Sequence, residues 1–164
     1  MRFVPYEKIT YKTKLGYNQI IKRIQDTIEP KKFIRLIKGN QKKAYEGKVQ
    51  GNNFTINRII TFTNVFSPVI YGTITKEKDE TRIDIKLKLQ PVVIAVMIAW
   101  LGVVGYIFVS SLINYMMNDV LNKNFSTSLL VLAVGYIMMT GAFKSESGKE
   151  KSKLEELFEA VAEK

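Results

Sequence analysis

Two stretches of this chain hold no charged residue: 89–118 and 124–143. Within the first, 91–113 is almost wholly apolar and makes roughly 34 Å of α-helix at 1.5 Å per residue. Within the second, 125–143 makes roughly 28 Å. A bilayer's hydrocarbon core is about 30 Å thick, so each run is long enough to cross it. A soluble chain of 164 residues has too few other elements to cover two such helices on every side. The sequence therefore predicts a transmembrane helical hairpin over 91–143, with Pro91 in the first turn of its first span and a short Asn-rich link. The opening Met1–Lys8 has no apolar core, so an internal segment is expected to direct insertion.

Charge sets the expected orientation. The chain carries 25 Lys and Arg against 15 Asp and Glu, a net +10. Nineteen of those bases and eight of those acids precede residue 91; the segment from Lys144 holds five bases and six acids. Lys86 and Lys88 flank the first span and Lys144 the second. The positive-inside rule puts both termini in the cytosol and the link outside. Lys31, Lys32, Arg35 and Lys38 alternate with apolar residues. Together with Lys86, Lys88 and Lys144 they are candidates for contact with anionic lipid headgroups, each base contributing about 1 kcal/mol. The competing reading is ordinary positive-inside charge. Membrane lipids are thus the expected partners. Nucleic acid is not, because topology explains the basic balance and no binding motif is present.

The chain has no cysteine and no histidine, which removes disulfides, thiol nucleophiles, iron–sulfur clusters and the usual zinc sites. No phosphate-binding glycine loop, nucleophile elbow or paired-carboxylate constellation occurs. No catalytic residue, cofactor or metal is expected. Neither span contains an ionisable residue, as transporters and proton relays usually require, and two helices enclose a pore only as an oligomer.

Trp100 falls near mid-depth, where its indole N–H needs a partner. If the hairpin is closely packed, residues whose numbers sum to about 240 share a depth: Gly105 with Gly135, Ala99 with Gly141, Trp100 with Thr140. Small residues at matched depth permit close backbone approach, so this face is expected to close the hairpin. The alternative is that Gly is simply common in membrane helices.

Residues 1–90 read as a cytosolic α+β domain. A short strand near Ile9–Thr13 precedes a helix after Gly16, in which Tyr17, Ile20, Ile21, Ile24 and Ile28 follow helical spacing and which Pro30 stops. That helix either covers a sheet or lies on lipid. Strands are predicted over 44–50 and 53–60, around a Gly51-Asn52 turn, and over 68–76. The clearest is 82–90, where Ile83, Ile85, Leu87 and Leu89 alternate with Arg82, Asp84, Lys86 and Lys88. The expected architecture is an antiparallel sheet of about four strands, half covered by the N-terminal helix, whose last strand enters the first span without a linker. A cytosolic tail, 144–164, is expected to hold its own amphipathic helix. Ser152-Lys153-Leu154-Glu155 has capping-box spacing, and Leu154, Leu157, Phe158 and Val161 form an apolar stripe. Either the sheet or a partner helix covers that stripe.

Arg58 falls in the series Phe54, Ile56, Arg58, Ile60, Phe62, on the expected buried face. A buried Arg needs an acid or an anionic ligand. It is therefore a candidate head for a phosphate or carboxylate pocket, against two bland readings: an outward turn at an edge, or a structural pair with Glu46 or Asp84.

Several motifs also carry a resemblance. Gly47-Lys48-Val49 through Phe54-Thr55-Ile56-Asn57-Arg58, Asn64-Val65-Phe66-Ser67-Pro68-Val69-Ile70-Tyr71-Gly72-Thr73-Ile74, Ile98-Ala99-Trp100-Leu101-Gly102-Val103-Val104-Gly105, and Phe143-Lys144-Ser145-Glu146 with Lys151-Ser152-Lys153 occur in that order. In these the chain resembles an uncharacterised family of small bacterial two-span membrane proteins. The resemblance implies a bacterial cytoplasmic membrane and the same architecture, and carries no activity. Two functions follow as expectations. One is a non-enzymatic membrane-anchored module that binds an anionic ligand, a headgroup, a membrane partner protein or a second copy. The other is an oligomeric effector that permeabilises the bilayer when its cytosolic part binds ligand.

Overall fold

The structure, a computed structural model, describes residues 5–30, 43–59, 65–118 and 123–163. Seven strands and three helices lie among them: β1 (Tyr6–Thr13), α1 (Tyr17–Thr27), β2 (Ile28–Pro30), β3 (Tyr45–Gln50), β4 (Asn53–Arg58), β5 (Val69–Lys76), β6 (Thr81–Lys88), α2 (Pro91–Asn118), α3 (Lys123–Phe158) and β7 (Val161–Glu163). Both sides of the Arg82–Lys88 alternation are visible in β6, whose Ile83, Ile85 and Leu87 are fully buried while Lys86 and Lys88 are exposed. Gly51, at φ 55°, turns β3 into β4, a backbone conformation that favours glycine.

The strands form one sheet in the order β2-β3-β4-β5-β6-β1-β7. Every pairing is antiparallel except β2 with β3. The expected four-stranded antiparallel sheet is thus part of a larger mixed one. Of the three strands beyond those four, β2 and β7 are three residues each, too short to print a period-two pattern. β1 reaches back to Tyr6 and pairs β6 along its whole length, Tyr6 against Lys88 and Thr13 against Thr81.

One sheet face is covered. Tyr11, Phe54, Ile56, Ile70, Ile74, Ile83, Ile85 and Leu87 point into the core, where they meet Ile20 and Ile24 of α1 and Phe143, Leu154 and Phe158 of α3. α1 therefore covers the sheet. Its N-terminus is closed by the Gly16 amide donating to Gln19 Oε1 at 3.0 Å, and extended backbone at Ile28 ends it.

Beyond Phe143 the chain departs from expectation. No separate tail helix starts at Ser152: α3 runs unbroken for 36 residues, roughly 54 Å. Ser152 lies within it and donates to the Gly148 carbonyl at 3.4 Å, so the capping box is not formed. Val161 is not on the helical stripe; it sits in β7 and is 79% exposed. Leu154 and Phe158 do find their cover in the sheet of the same chain. After Phe158, Glu159 at φ 46° reverses the chain and β7 adds to β1.

α2 follows β6 after only Leu89 and Gln90, both buried. α2 and α3 are long and apolar enough to cross a membrane, with 11% and 6% of their apolar windows buried. Val96, Val103, Ile137 and Met138 each leave more than 60% of their surface uncovered. The helices pack on each other in a register that differs from the expected one. Phe108 stacks on Phe125 at 5.2 Å. A Cβ on Gly135 would fall 2.1 Å from the Trp100 ring. Contacting numbers thus sum to about 234, not 240. Gly135 receives Trp100 rather than Gly105. Gly105 and Gly141 face open space, and the Thr140 hydroxyl donates to Tyr136 and Ile137 of its own helix. Indole bulk fixes the offset, since a glycine notch accepts a large ring better than another glycine.

Candidate functional site

Arg58 ends β4 on the covered face, directly opposite Tyr45 of β3. Both side chains meet α3 one turn past the apolar stretch, where Glu146, Glu150 and Lys153 follow i, i+4, i+7 spacing and share a helix face. Arg58 Nη1 donates to Glu146 Oε2 at 3.3 Å and lies 3.7 Å from Glu150 Oε1. Glu150 is 1% exposed. The Tyr45 hydroxyl donates to Glu150 Oε2 at 2.7 Å and accepts from Lys153 Nζ at 2.9 Å. The same ammonium lies 5.4 Å over the Tyr45 ring and 3.5 Å from Glu150 Oε1. Burial, then the bond and charge of Glu150, push ionisation of the Tyr45 hydroxyl well above its ordinary 10, with Arg58 opposing. Tyr45 therefore stays a neutral donor throughout the physiological range.

The expected anionic ligand on Arg58 is displaced by the protein's own acids. The structural-pair reading holds in kind but not in partner. Glu46 and Asp84 belong to the opposite sheet face, where Glu46 sits opposite Asn57 and Asp84 accepts from Thr10 at 2.7 Å. Ile60 and Phe62, invoked for the same series, lie outside the described residues.

Beside the cluster, between α1 and α3, opens a cleft of about 460 Å³. Ile56, Ile70, Leu154 and Leu157 give it an apolar floor; Asp26, Tyr45, Glu150 and Lys153 give it polar walls. Arg23 closes one end, donating to the Leu157 carbonyl at 2.9 Å and to Glu159 at 2.5 Å. Arg58 does not line it. One feature stands out chemically. Glu150 Oε1 is buried and accepts no hydrogen bond among the described residues. Arg58 and Lys153 lie at ion-pair rather than bonding distance, and a buried carboxylate oxygen left without a donor is costly. Among the described residues no acids converge as a metal site.

Of the other sequence candidates, Lys86, Lys88 and Lys144 are exposed, Lys86 and Lys88 on the open sheet face, while Lys31, Lys32, Arg35 and Lys38 lie outside the described residues. Glu146, Glu150, Tyr45 and Lys153 were missed. The signal for Glu150 was present: Phe143, Ser147, Glu150, Leu154 and Phe158 make one continuous helical stripe, with an acid at its centre.

No family model, curated protein or solved structure matches the chain.

Proposed function

We propose that the chain is a non-enzymatic, membrane-anchored binding module of a bacterial cytoplasmic membrane. α2 and α3 cross the bilayer as a hairpin, both termini lie in the cytosol, and the cleft beside Glu150 takes a small amphiphilic ligand. The carrying observation is that α3 is shared: its first part is apolar and uncovered, and its stretch from Glu150 to Leu157 forms one wall of the cleft. The placement of bases before residue 91 supports the orientation. The ligand's chemistry follows from the walls, an amine for the acidic side made by Asp26, Glu150 and Glu156 and a short apolar body for the floor.

The experiment uses the full chain in lipid nanodiscs and intact cells. Tags at both ends should resist externally added protease, and the protein should stay in the membrane through carbonate extraction. Small alkylamines should raise the unfolding midpoint, by about 2.7 kcal/mol of stabilisation at a hundred-fold excess over Kd, whereas alkylcarboxylates should not. Glu150→Gln should abolish the discrimination. A protein released by carbonate, or stabilised equally by amines and carboxylates, refutes the reading.

A second reading, an oligomeric effector that makes the bilayer leak, is favoured by Gly102, Gly105 and Gly141, whose open Cβ positions leave room for another helix. Dye release from liposomes that rises with protein density decides for it.

A further inference from the structure

The sheet face that none of the described helices covers carries an arrangement that charge alone disfavours. Strand register sets Lys8 of β1 directly opposite Lys86 of β6, and Tyr6 opposite Lys88. Cross-strand neighbours on one face stand about 5 Å apart at Cβ, and like charges there repel. None of these three lysines is held in an ion pair among the described residues. Asp84, an acid on their face, feels the charge of Lys8 but takes its hydrogen bonds from Thr10 and Arg82. Lys88 is instead flanked by the rings of Tyr6 and Tyr71, at 5.9 and 5.6 Å. Between Lys8, Lys86 and Tyr71 lies a hollow of about 390 Å³, bordered by the hydroxyls of Thr55 and Thr73 and by Asp84, whose carboxylate accepts from Thr10 and Arg82. Ammonium and hydroxyl groups are the donors that a phosphate group lacks.

Position selects the source of that phosphate. Lys88 lies three residues before Pro91, the first residue of α2, and Tyr6 and Lys88 form the row of the sheet nearest to it. The Lys8–Lys86 row lies one side-chain repeat, about 7 Å, further along the strands. Long lysine side chains reach towards an interface from such a distance. We propose that this open face is a docking surface for anionic phospholipid headgroups of the bilayer that α2 enters. Lys8, Lys86 and Lys88 hold lipid phosphates, and Tyr6 and Tyr71 rest at headgroup level. The proposal rests on the membrane reading given above.

The test is lysine footprinting of the full chain, reconstituted in vesicles of phosphatidylcholine alone or with one-third phosphatidylglycerol. A membrane-impermeant amine-reactive reagent is used, with each lysine read by mass spectrometry. Lys76 and Lys78, at the opposite end of the sheet, are the internal control. Lys8, Lys86 and Lys88 should react at least about five-fold more slowly in the anionic vesicles, with Lys76 and Lys78 unchanged. Molar sodium chloride should remove the difference. In a Lys8→Gln/Lys86→Gln variant with an unchanged circular dichroism spectrum, Lys88 should lose its protection. Equal rates in both vesicles, or slowing of all five lysines alike, overturns the proposal. Protection by inorganic phosphate in phosphatidylcholine vesicles also overturns it, in favour of a free anion. Carbonate extraction of the same samples separates the failures. Protein that stays in the vesicles without protection sinks this inference alone, and protein that leaves them sinks the membrane reading.

Discussion

Arg58→Met removes the cation that stands between Glu146 and Glu150 while keeping most of the side chain's apolar volume. Breaking a buried ion pair by deleting one partner costs about 3–5 kcal/mol, because the remaining charge is left stranded. Two features reduce that here. Arg58 keeps 29% of its side-chain surface exposed, so solvent screens it. Lys153 still stands 3.5 Å from Glu150 Oε1. We therefore expect a loss of about 1–3 kcal/mol. The assay is urea unfolding in nanodiscs, followed by amide exchange of β3 and β4, which separates the sheet from the spans. Glu150→Gln keeps an acceptor for Tyr45 but removes the charge, and should cost about 1–2 kcal/mol. The double variant should cost less than the sum of the two, by a coupling of about 1–2 kcal/mol. Additivity within about 0.5 kcal/mol refutes the argument that these groups form one unit across the sheet–helix seam.

Three further outcomes follow from particular contacts. The Tyr11 hydroxyl is buried without a hydrogen-bond partner among the described residues, so Tyr11→Phe should be neutral or stabilising by up to about 1 kcal/mol. Burial, then the charges of Glu155 and Glu7, push its ionisation up to about 12 from 10.0. The neutral form is the one the fold favours, so its contribution is full below pH 10 and lost as pH rises through 12; tyrosinate absorbance of the wild type should show a late step that the Phe variant lacks. Burial works against the charge of Asp84, but the Thr10 and Arg82 hydrogen bonds and the charges of Arg82 and Lys8 outweigh it and lower its pKa from 3.8. Its contribution is present above that value and lost as pH falls through the folded one, so Asp84→Asn should flatten the acid limb of stability. Gly135→Leu should displace Trp100, cost about 1–3 kcal/mol and shift indole fluorescence, whereas Gly105→Leu should leave the emission unchanged.

The parts of the fold legible in sequence are those in which one residue's environment repeats along the element. β6 alternates for its whole length, α1 places Ile20 and Ile24 four residues apart on its covered side, and α2 is uncharged throughout. What escaped depends on partners distant in the chain. β2 and β7 exist because β3 and β1 present edges to them, and three residues carry no period of their own. Arg58 was legible as a buried cation, but its acids lie about ninety positions away on a helix whose reach across the sheet was hidden. Trp100 was expected against Thr140; its seat on Gly135 is decided by ring shape, which a matched-depth rule does not contain.

The boundary at Phe143–Lys144 holds the more general lesson. Hydropathy changes abruptly there, and a change of solvent was read as a change of element. Nothing in the backbone requires that. Between Phe143 and Phe158 there is no proline, and the one glycine, Gly148, is exposed and costs only about 1 kcal/mol in a helix interior. The i→i−4 ladder therefore continues across the seam. Along it, an uncovered apolar surface gives way to a face packed on the sheet. Under the membrane reading proposed above, this makes α3 a single rod embedded at both ends. Its lower part is gripped by Trp100 on Gly135 and its upper part by Arg58, Tyr45 and Lys151 with Glu7. The ligand proposed above, seated beside Glu150, would act on that upper grip. A flexible linker after Phe143 would absorb such a change, but an unbroken helix passes it to the span.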